Sequence, residues 1–420
     1  MRLESGRDHE RPVFEGPGYV DVNSSTEIQF TMFAAAADGG DAFRRLARAK
    51  ANPYELFDQF RLAATDYQGI EWACGWTRPE FKGWPRVGWP LTGQLTSLAT
   101  GASGPLVAKT SSVELIIQQK LWLPMEKSMM SVTTVGSEEI RRTREPGLQS
   151  IEALGSTIVF SYSPSDEYLA VTAETSDQLT HPYAENWIGE PLRILLGQLI
   201  YPRLVARNFG DGSAQVWLRP SPQHLSGSAI AALFQWSPAS IGTDFWQLYA
   251  DLLTMIGRAR DISGLPTFES HAVTRFYEEI VQATQGSKWV LCLTLASVSE
   301  GLAKALMTPE EQRSDFDRED VDSLSSVVEK WDGDPRLRQR VLGDIAKAAK
   351  RTVGRFLRDL AMRAVLEKRH EQAWAAIRHA VMHGNLVTPW ATKENDDRVV
   401  ALAELVHRLT RELVRRSSTA

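Results

Sequence analysis

The sequence has few cysteines, no long hydrophobic run and no apolar stretch at its start. Its two cysteines in 420 residues, Cys74 and Cys292, are too few for a disulfide framework, and neither belongs to a CxxC pair. Because Cys292 lies in the apolar run 289–293, we interpret it as a small buried hydrophobe. This cysteine usage is typical of the reducing cytoplasm.

Membrane segments are not indicated either. The first eight residues are polar and charged, which argues against a signal peptide. The most apolar stretch, 289–298, is too short to cross a bilayer and is soon followed by Glu300. We therefore expect a soluble, unanchored protein. The hydrophobic content of 43% and the charged content of 24% are typical of globular chains, and the length allows two or three domains.

Charge is distributed unevenly along the chain. Residues 1–265 carry 23 basic and 29 acidic groups, a net charge of -6, whereas residues 266–420 carry 24 and 23, a net charge of +1. Within the second part, residues 336–369 hold 11 basic groups and 3 acidic ones. The global charge argues against a general nucleic-acid binder, but this local basic segment is compatible with RNA contact.

The first part of the chain has the pattern of strands. Short alternating or β-branched runs, such as 28–33, 112–117 and 157–162, are separated by glycine, proline and serine clusters. These runs predict a β-rich, sandwich-like region. A helix-like run at 191–204 and a strand-like run at 213–218 extend this region to residue 240, with a subdomain break near residue 180.

From residue 244 the apolar residues follow a helical period. The segment 310–322 has seven acids against two bases and is expected to be a solvated loop or the start of a polar helix. We predict an α+β protein with a helical connector at 241–265 and an all-α bundle of about five helices at 266–420. The helices are predicted at 245–260, 271–284, 288–307, 336–360, 364–383 and 399–416.

One short motif carries the chemistry. Arg378 and His383 form an Arg-x4-His pattern near the end of a predicted helix, with His379 after the arginine and Gly384 after the second histidine. A second match, from Arg219 to His224, contains two prolines that rule out a helix. On an ideal helix, positions five apart point about 140° away from each other. Arg378 and His383 can therefore converge only if the helix loosens or the pair meets at a dimer seam.

In this motif the sequence resembles the HEPN superfamily, and more narrowly the Apea-like HEPN proteins of bacterial anti-phage defence. The resemblance covers residues 266–416 and rests on 377–379 together with His383 and Gly384. The family often has Asn where this chain has His379. The resemblance implies a β-rich N-terminal region before a helical nuclease domain, and a metal-independent endoribonuclease without a cofactor.

The expected chemistry fits these two residue types. His383 can accept or donate a proton near neutral pH, and such catalysis contributes on the order of 10²–10⁴ in rate. Arg378 stays cationic and can hold a phosphate oxygen with two hydrogen bonds. The resemblance implies products with a 2′,3′-cyclic phosphate and a 5′-hydroxyl. It also implies a homodimer through the C-terminal helices, in which His383 of two chains shares the acid and base roles.

Several further residues are weaker candidates. Glu300 interrupts an apolar helix, and the resemblance allows an acid from an earlier helix near the motif, against a plain surface position. His379 is expected to orient His383 or touch RNA, with a structural role as the alternative. Asn385 is a candidate for RNA contact or for bonding the helix end. Three arginines of the basic segment are predicted to guide the RNA backbone: Arg351, Arg355 and Arg358.

Two other interpretations remain open. His379 and His383 are spaced as an HxxxH metal pair, but the glutamate of HExxH and a third ligand at fixed spacing are missing. Alternatively, the helical domain is an inactive HEPN-fold interaction or regulatory module. The N-terminal region has no catalytic motif, so we expect it to sense a phage-derived trigger or to restrain a toxic nuclease in abortive infection. RNA, with tRNA among the candidates, is the expected substrate.

Overall fold

The computed structural model of the chain describes thirteen segments of the sequence. Strands occupy the N-terminal part of these segments and helices occupy the C-terminal part, so the predicted α+β class is confirmed. The described residues are 1–6, 8–82, 88–103, 107–125, 130–135, 138–143, 147–163, 167–221, 229–234, 243–313, 316–348, 351–382 and 392–419.

The strands lie between Arg2 and Leu218. They are β1 Arg2–Ser5, β2 Asp8–Glu15, β3 Gly18–Asp21, β4 Gln29–Ala36, β5 Phe60–Thr65, β6 Glu71–Thr77, β7 Glu80–Phe81, β8 Trp89–Gln94, β9 Leu98–Ser103, β10 Ser111–Gln118, β11 Met130–Val135, β12 Glu138–Thr143, β13 Gly147–Ala153, β14 Ser156–Ser163, β15 Tyr168–Glu174, β16 Leu204–Phe209 and β17 Ser213–Leu218.

Strand pairing joins fifteen of the described strands in one antiparallel sheet. The order is β13-β14-β15-β10-β16-β17-β9-β6-β5-β1-β2-β4-β8-β7, and β3 pairs with β4 beside this path. β11 and β12 form a separate hairpin. The predicted β-rich region is confirmed, and hydrogen bonding connects fifteen of its described strands in one sheet.

The alternation in β10 shows why these runs become strands. Val113, Leu115 and Ile117 are buried, while the residues between them point to the other face. Each of the three pairs with a buried residue of β15, because the register matches Leu115 with Val171. Burying one such aliphatic side chain stabilises the fold by about 1.5–3 kcal/mol.

Ten α-helices lie in the described residues. They are α1 Gly39–Ala51, α2 Ala184–Leu196, α3 Thr243–Arg258, α4 Ala272–Ala283, α5 Lys288–Leu306, α6 Arg318–Glu329, α7 Pro335–Ala348, α8 Val353–Met362, α9 Lys368–Met382 and α10 Lys393–Thr419.

The contacts divide the chain into two compact units. The first unit comprises Met1–Leu192, Leu199–His224 and Trp236–Glu269, and the second comprises Arg193–Gln198, Leu225–Gln235 and Ser270–Ala420. The predicted connector at 241–265 thus contains α3 and groups with the first unit. The sequence places the start of the helical domain at residue 266, and the main segment of the second unit begins at Ser270.

The predicted long helix at 336–360 is wrong, because α7 ends at Ala348 and α8 begins at Val353. Thr352 has extended backbone angles, φ -81 and ψ 149, and its side chain accepts a hydrogen bond from the Arg355 amide at 3.3 Å. This N-cap satisfies a free amide of α8 and fixes a new helix start. The basic residues of the segment 336–360 therefore do not lie on one continuous helix.

α5 is the core helix of the second unit. By length and composition alone it could cross a membrane, with 19 residues and a mean hydropathy of 1.4. Core helices of soluble proteins pass the same test. Eight residues of α5 are buried, and the helix packs against α4, α8, α9 and α10. These buried contacts make α5 a core helix of this unit.

A buried histidine of α10 couples the stability of the second unit to pH. The His407 ring is 8% exposed and stacks on Tyr277 at 6.2 Å with an interplanar angle of 15°. Burial lowers the pKa of His407 to about 4, although a hydrogen bond with the Ile230 backbone acts in the opposite direction. The neutral ring is therefore the form that fits this position.

Replacing His407 by glutamine is expected to reduce the acid sensitivity of the second unit. Because the pKa of His407 is lower in the folded state than its unfolded value of about 6.5, its stability contribution is complete above that pH. The contribution is lost as the pH falls towards 4, and amounts to up to about 3 kcal/mol. Urea unfolding at neutral and acidic pH measures the difference. The wild-type chain measured in parallel is the reference, and the same acid sensitivity in both chains would contradict the role of His407.

Candidate functional site

Arg378 lies on the solvent side of α9. The other side of this helix is apolar, with Ala373, Trp374 and Ile377 buried. The spacing of three and four residues places these side chains on one face. Arg378 and His379 then follow on the exposed part of the helix. The helical period of α9 thus presents the motif arginine to solvent.

Two contacts hold the Arg378 guanidinium. Its Nε donates a hydrogen bond to Glu300 Oε2 on α5 at 3.2 Å. Its Cζ lies 5.4 Å from the centre of the Trp374 ring, which is a cation–π distance. The arginine side chain is still 46% exposed. A fixed cation is thereby displayed at the surface, with nitrogen atoms available for an anion.

Glu300 joins Arg378 to a second cation. Its Oε1 lies 2.8 Å from Nζ of Lys304, one turn further along α5. The Lys304 hydrogen bond lowers the pKa of the Glu300 carboxyl most, burial opposes this shift, and Arg378 lowers it further. Glu300 is therefore anionic at neutral pH. It can position Arg378 but cannot serve there as a proton donor.

Trp374 is the platform under Arg378. Its ring is 6% exposed, and its Nε1 donates a hydrogen bond to the Ala296 carbonyl of α5 at 3.3 Å. On the side of α8, a Cβ at Gly354 would lie only 3.3 Å from the ring. Side chains or backbone of α5, α8 and α9 thus fix the indole, and the indole fixes the arginine.

The structure describes one of the three remaining candidate residues near the motif. His379 is exposed and neighbours Arg378 on α9. α9 ends at Met382, so His383 and Asn385 lie outside the described residues. The convergence of Arg378 with His383 stays a prediction, and the same holds for the HxxxH metal pair.

The three arginines predicted to guide RNA differ in their surroundings. Arg351 is largely buried and forms an ion pair with Asp359. Arg358 is 66% exposed, and its Nη2 lies 3.5 Å from Glu371 Oε1. Arg355 is exposed in the first turn of α8. Arg355 and Arg358 are therefore exposed to solvent, whereas Arg351 is largely buried in a contact within the chain.

Sequence reasoning missed Lys304 and a buried histidine, His370. The spacing of four residues between Glu300 and Lys304 is a signal that could have indicated their pair. His370 Nδ1 accepts the Glu367 amide at 3.1 Å, so Nε2 carries the proton and donates to Glu404 Oε2 at 3.0 Å. Because His370 is fully buried, it anchors α9 to α10 and does not reach a substrate.

Neither a metal-binding cluster among the described residues nor a related protein adds information about this site. Within the described segments, no group of three or more His, Cys, Asp or Glu side chains could hold a metal ion. Comparison with protein-family models, with curated proteins and with solved structures finds no match for this chain. The geometry around Arg378 is thus the structural basis for a functional proposal.

Proposed function

We propose that the chain is a metal-independent endoribonuclease of the HEPN type, with Arg378 and His383 as its catalytic pair. The observation that carries this proposal is the surface guanidinium of Arg378, held by Glu300 and Trp374 and still 46% exposed. Fixing a charge before the substrate arrives reduces the reorganisation needed in the transition state. Such a cation is suited to a phosphodiester.

In the proposed reaction, the RNA 2′-hydroxyl attacks the adjacent phosphorus while the bond to the 5′-oxygen breaks. Arg378 neutralises the charge that develops on a non-bridging phosphate oxygen. His383 of one chain takes the 2′-proton, and the His383 of a second chain gives a proton to the leaving 5′-oxygen. Glu300 acts as a positioning residue, and Lys304 adds positive charge beside the phosphate.

The first unit is proposed to control this activity in cytoplasmic anti-phage defence. Its motif-poor sequence favours recognition or restraint over catalysis. A cleft of about 610 Å³ opens on this unit and is lined in part by Glu27, Gln94, Tyr201 and Arg219. A phage-derived trigger with polar groups could bind there and release the nuclease to act on RNA such as tRNA.

The proposal is tested by incubating the purified full chain with total RNA and with tRNA in the presence of EDTA. Cleavage should persist, and the products should end in a 2′,3′-cyclic phosphate and a 5′-hydroxyl. Adding lysate from phage-infected cells should raise the rate if the first unit restrains the enzyme. Cleavage that EDTA abolishes, or products with a 3′-hydroxyl, would contradict the proposed chemistry.

A second function is favoured by the contact between Arg378 and Glu300. An arginine already paired across two helices could be a structural clamp, as expected for an inactive HEPN-fold interaction module. In that case the pair would support α5 and α9, and RNA would not be cut under any condition.

Replacing Glu300 by glutamine discriminates between the two functions. Exposed ion pairs contribute only about 0–1 kcal/mol, so the melting temperature should change little. Loss of positioning at Arg378 should lower the cleavage rate roughly tenfold, because small displacements of catalytic groups are costly. Replacing Glu394 by glutamine, which breaks the exposed Arg398 pair of α10, is the matched control. A large loss of stability in Glu300→Gln, together with a wild-type chain that does not cut RNA, would favour the clamp.

A further inference from the structure

The helices α6 and α7 form a hairpin whose apolar side chains remain exposed. No residue of α6 is buried among those the structure describes, and Ile345 is the buried residue of α7. Five larger apolar side chains are between 37% and 65% exposed: Leu324, Val327, Trp331, Leu337 and Val341. Isolated helices of 12 and 14 residues are marginal in water. A hairpin of this kind gains stability when a partner covers its apolar side chains.

The turn of the hairpin is well fixed. Asp334 accepts a hydrogen bond from the Arg336 amide at 2.8 Å, and Arg338 Nη1 donates to the Trp331 carbonyl at 3.1 Å. The Trp331 ring covers Gly333 so closely that a Cβ there would lie 2.1 Å from it. The exposed Trp331 is therefore held by its own turn, at the edge of the apolar surface.

The two helices carry opposite charges. α6 has one basic and four acidic residues, a net charge of -3, and α7 has four basic and one acidic, a net charge of +3. Within the described chain no ion pair of 4 Å or less joins α6 to α7, and Glu319 and Asp320 have no cationic partner at that distance. The ion pairs that do form lie within α6 or within α7 and its turn and are exposed to solvent, and Glu319 and Asp320 remain available for an external partner.

Complementarity decides between partners. RNA would match α7 but would be repelled by the acidic α6. A purely basic partner would match α6 and be repelled by α7. A second copy related by a two-fold axis places α6 against α7 of the other chain, and does so twice, because such an interface is self-complementary. Of these three partners, only a second copy presents opposite charge to both helices at once.

We propose that the α6–α7 hairpins of two chains pack into a four-helix bundle that dimerises this protein. At 1.5 Å per residue the helices are about 18 Å and about 21 Å long, and two of them side by side are about 20 Å wide. The projected area of this face, about 400 Å², is smaller than the roughly 800 Å² that each partner buries in a standard interface, so we expect a weak dimer. The apolar side chains form the centre of this interface, and the charges at its rim set the orientation.

This surface goes beyond the proposed function, and its evidence is independent of RNA cleavage and of the position of Arg378. Ser323, Ser325 and Gly343 add small side chains to the two helices. No atom outside the helix lies within 4 Å of a Cβ built at Gly343. Open space there permits the close approach of another helix.

A charge-exchange experiment tests the bundle by sedimentation velocity of the full chain at micromolar concentration. One variant carries Glu319→Lys and Asp322→Lys on α6, and the other carries Arg336→Glu and Arg340→Glu on α7. Each variant alone should be monomeric, because like-charge repulsion between two identical hairpins raises the dissociation constant of the dimer on the order of 100-fold. Their equimolar mixture should form a dimer, because the exchanged charges are complementary between chains. A variant with Arg48→Glu and Lys50→Glu on α1 controls for charge reversal elsewhere.

Each outcome distinguishes the bundle from other partners. The proposal is overturned if the wild-type chain is monomeric, if both variants remain dimeric, or if the mixture stays monomeric while circular dichroism shows folded helices. A monomeric wild type whose RNA binding is lost in the α7 variant would assign the surface to nucleic acid. Sedimentation requires no cleavage, so an inactive but dimeric protein would refute the nuclease and retain the bundle.

Discussion

Replacing Arg378 by alanine is expected to abolish RNA cleavage by the purified chain without unfolding it. The guanidinium is the fixed cation for the phosphate, and losing one such transition-state contact costs on the order of 10²–10³ in rate. Its structural contacts are an exposed ion pair and a cation–π contact, each contributing about 1 kcal/mol or less. The initial cleavage rate of labelled RNA in EDTA and the melting temperature measure the two effects separately.

The matching variant His383→Ala should lose activity on the order of 10²–10⁴, the usual contribution of general acid–base catalysis. Arg398 is a suitable control, because it is 44% exposed and forms one ion pair with Glu394 on a helix of the same unit. Arg398→Ala should cut RNA at the wild-type rate. If Arg378→Ala and His383→Ala also cut at that rate, the catalytic assignment is wrong; if both unfold, the pair is structural.

The helices of the second unit were the most predictable elements, because their boundaries are encoded locally. The sequence predicts a helix at 288–307, and α5 spans Lys288–Leu306. Ser287 caps its first turn by accepting a hydrogen bond from the Val290 amide, and Pro309 follows soon after its end. An apolar period between two such signals is sufficient to specify a helix.

The break between α7 and α8 was not predictable from periodicity, because the apolar spacing continues across it. One threonine side chain decides the boundary: Thr352 bonds the backbone of α8 instead of continuing α7. The strand order could not be predicted from the sequence for another reason. β10 pairs with β15 and β16, whose paired residues lie 50 to 62 and 88 to 98 positions further along the chain, and local patterns do not specify such pairings.

The candidate site shows which residues the sequence could predict and which contact it could not. The sequence predicts Arg378 from its motif and marks Glu300 as a carboxylate inside an apolar helix. It could not establish that these residues, 78 positions apart, share a hydrogen bond. That contact depends on the packing of α5 against α9, and hence on the side chain at position 374.

Replacing Trp374 by alanine is expected to destabilise the second unit by about 3–5 kcal/mol, the usual cost of truncating a buried aromatic residue. The cavity would lie among α5, α8 and α9, and the Ala296 carbonyl would lose its hydrogen-bond donor. Urea unfolding measures the change in the free energy of unfolding. Trp374→Phe is the matched variant, since it retains much of the burial but loses the indole N–H, a net contribution of about 0.5–1.5 kcal/mol.

The phenylalanine variant also separates stability from catalysis. A benzene ring attracts a cation less than an indole does, so Arg378 should be held less firmly in a unit that stays folded. The cleavage rate should then fall several-fold at a temperature where circular dichroism shows native helix content. The double variant Glu300→Gln with Trp374→Phe should have a still lower cleavage rate. If Trp374→Ala costs less than about 1 kcal/mol, the indole is not the platform of this site. If Trp374→Phe cuts RNA at the full rate, the ring stabilises the bundle but does not position Arg378.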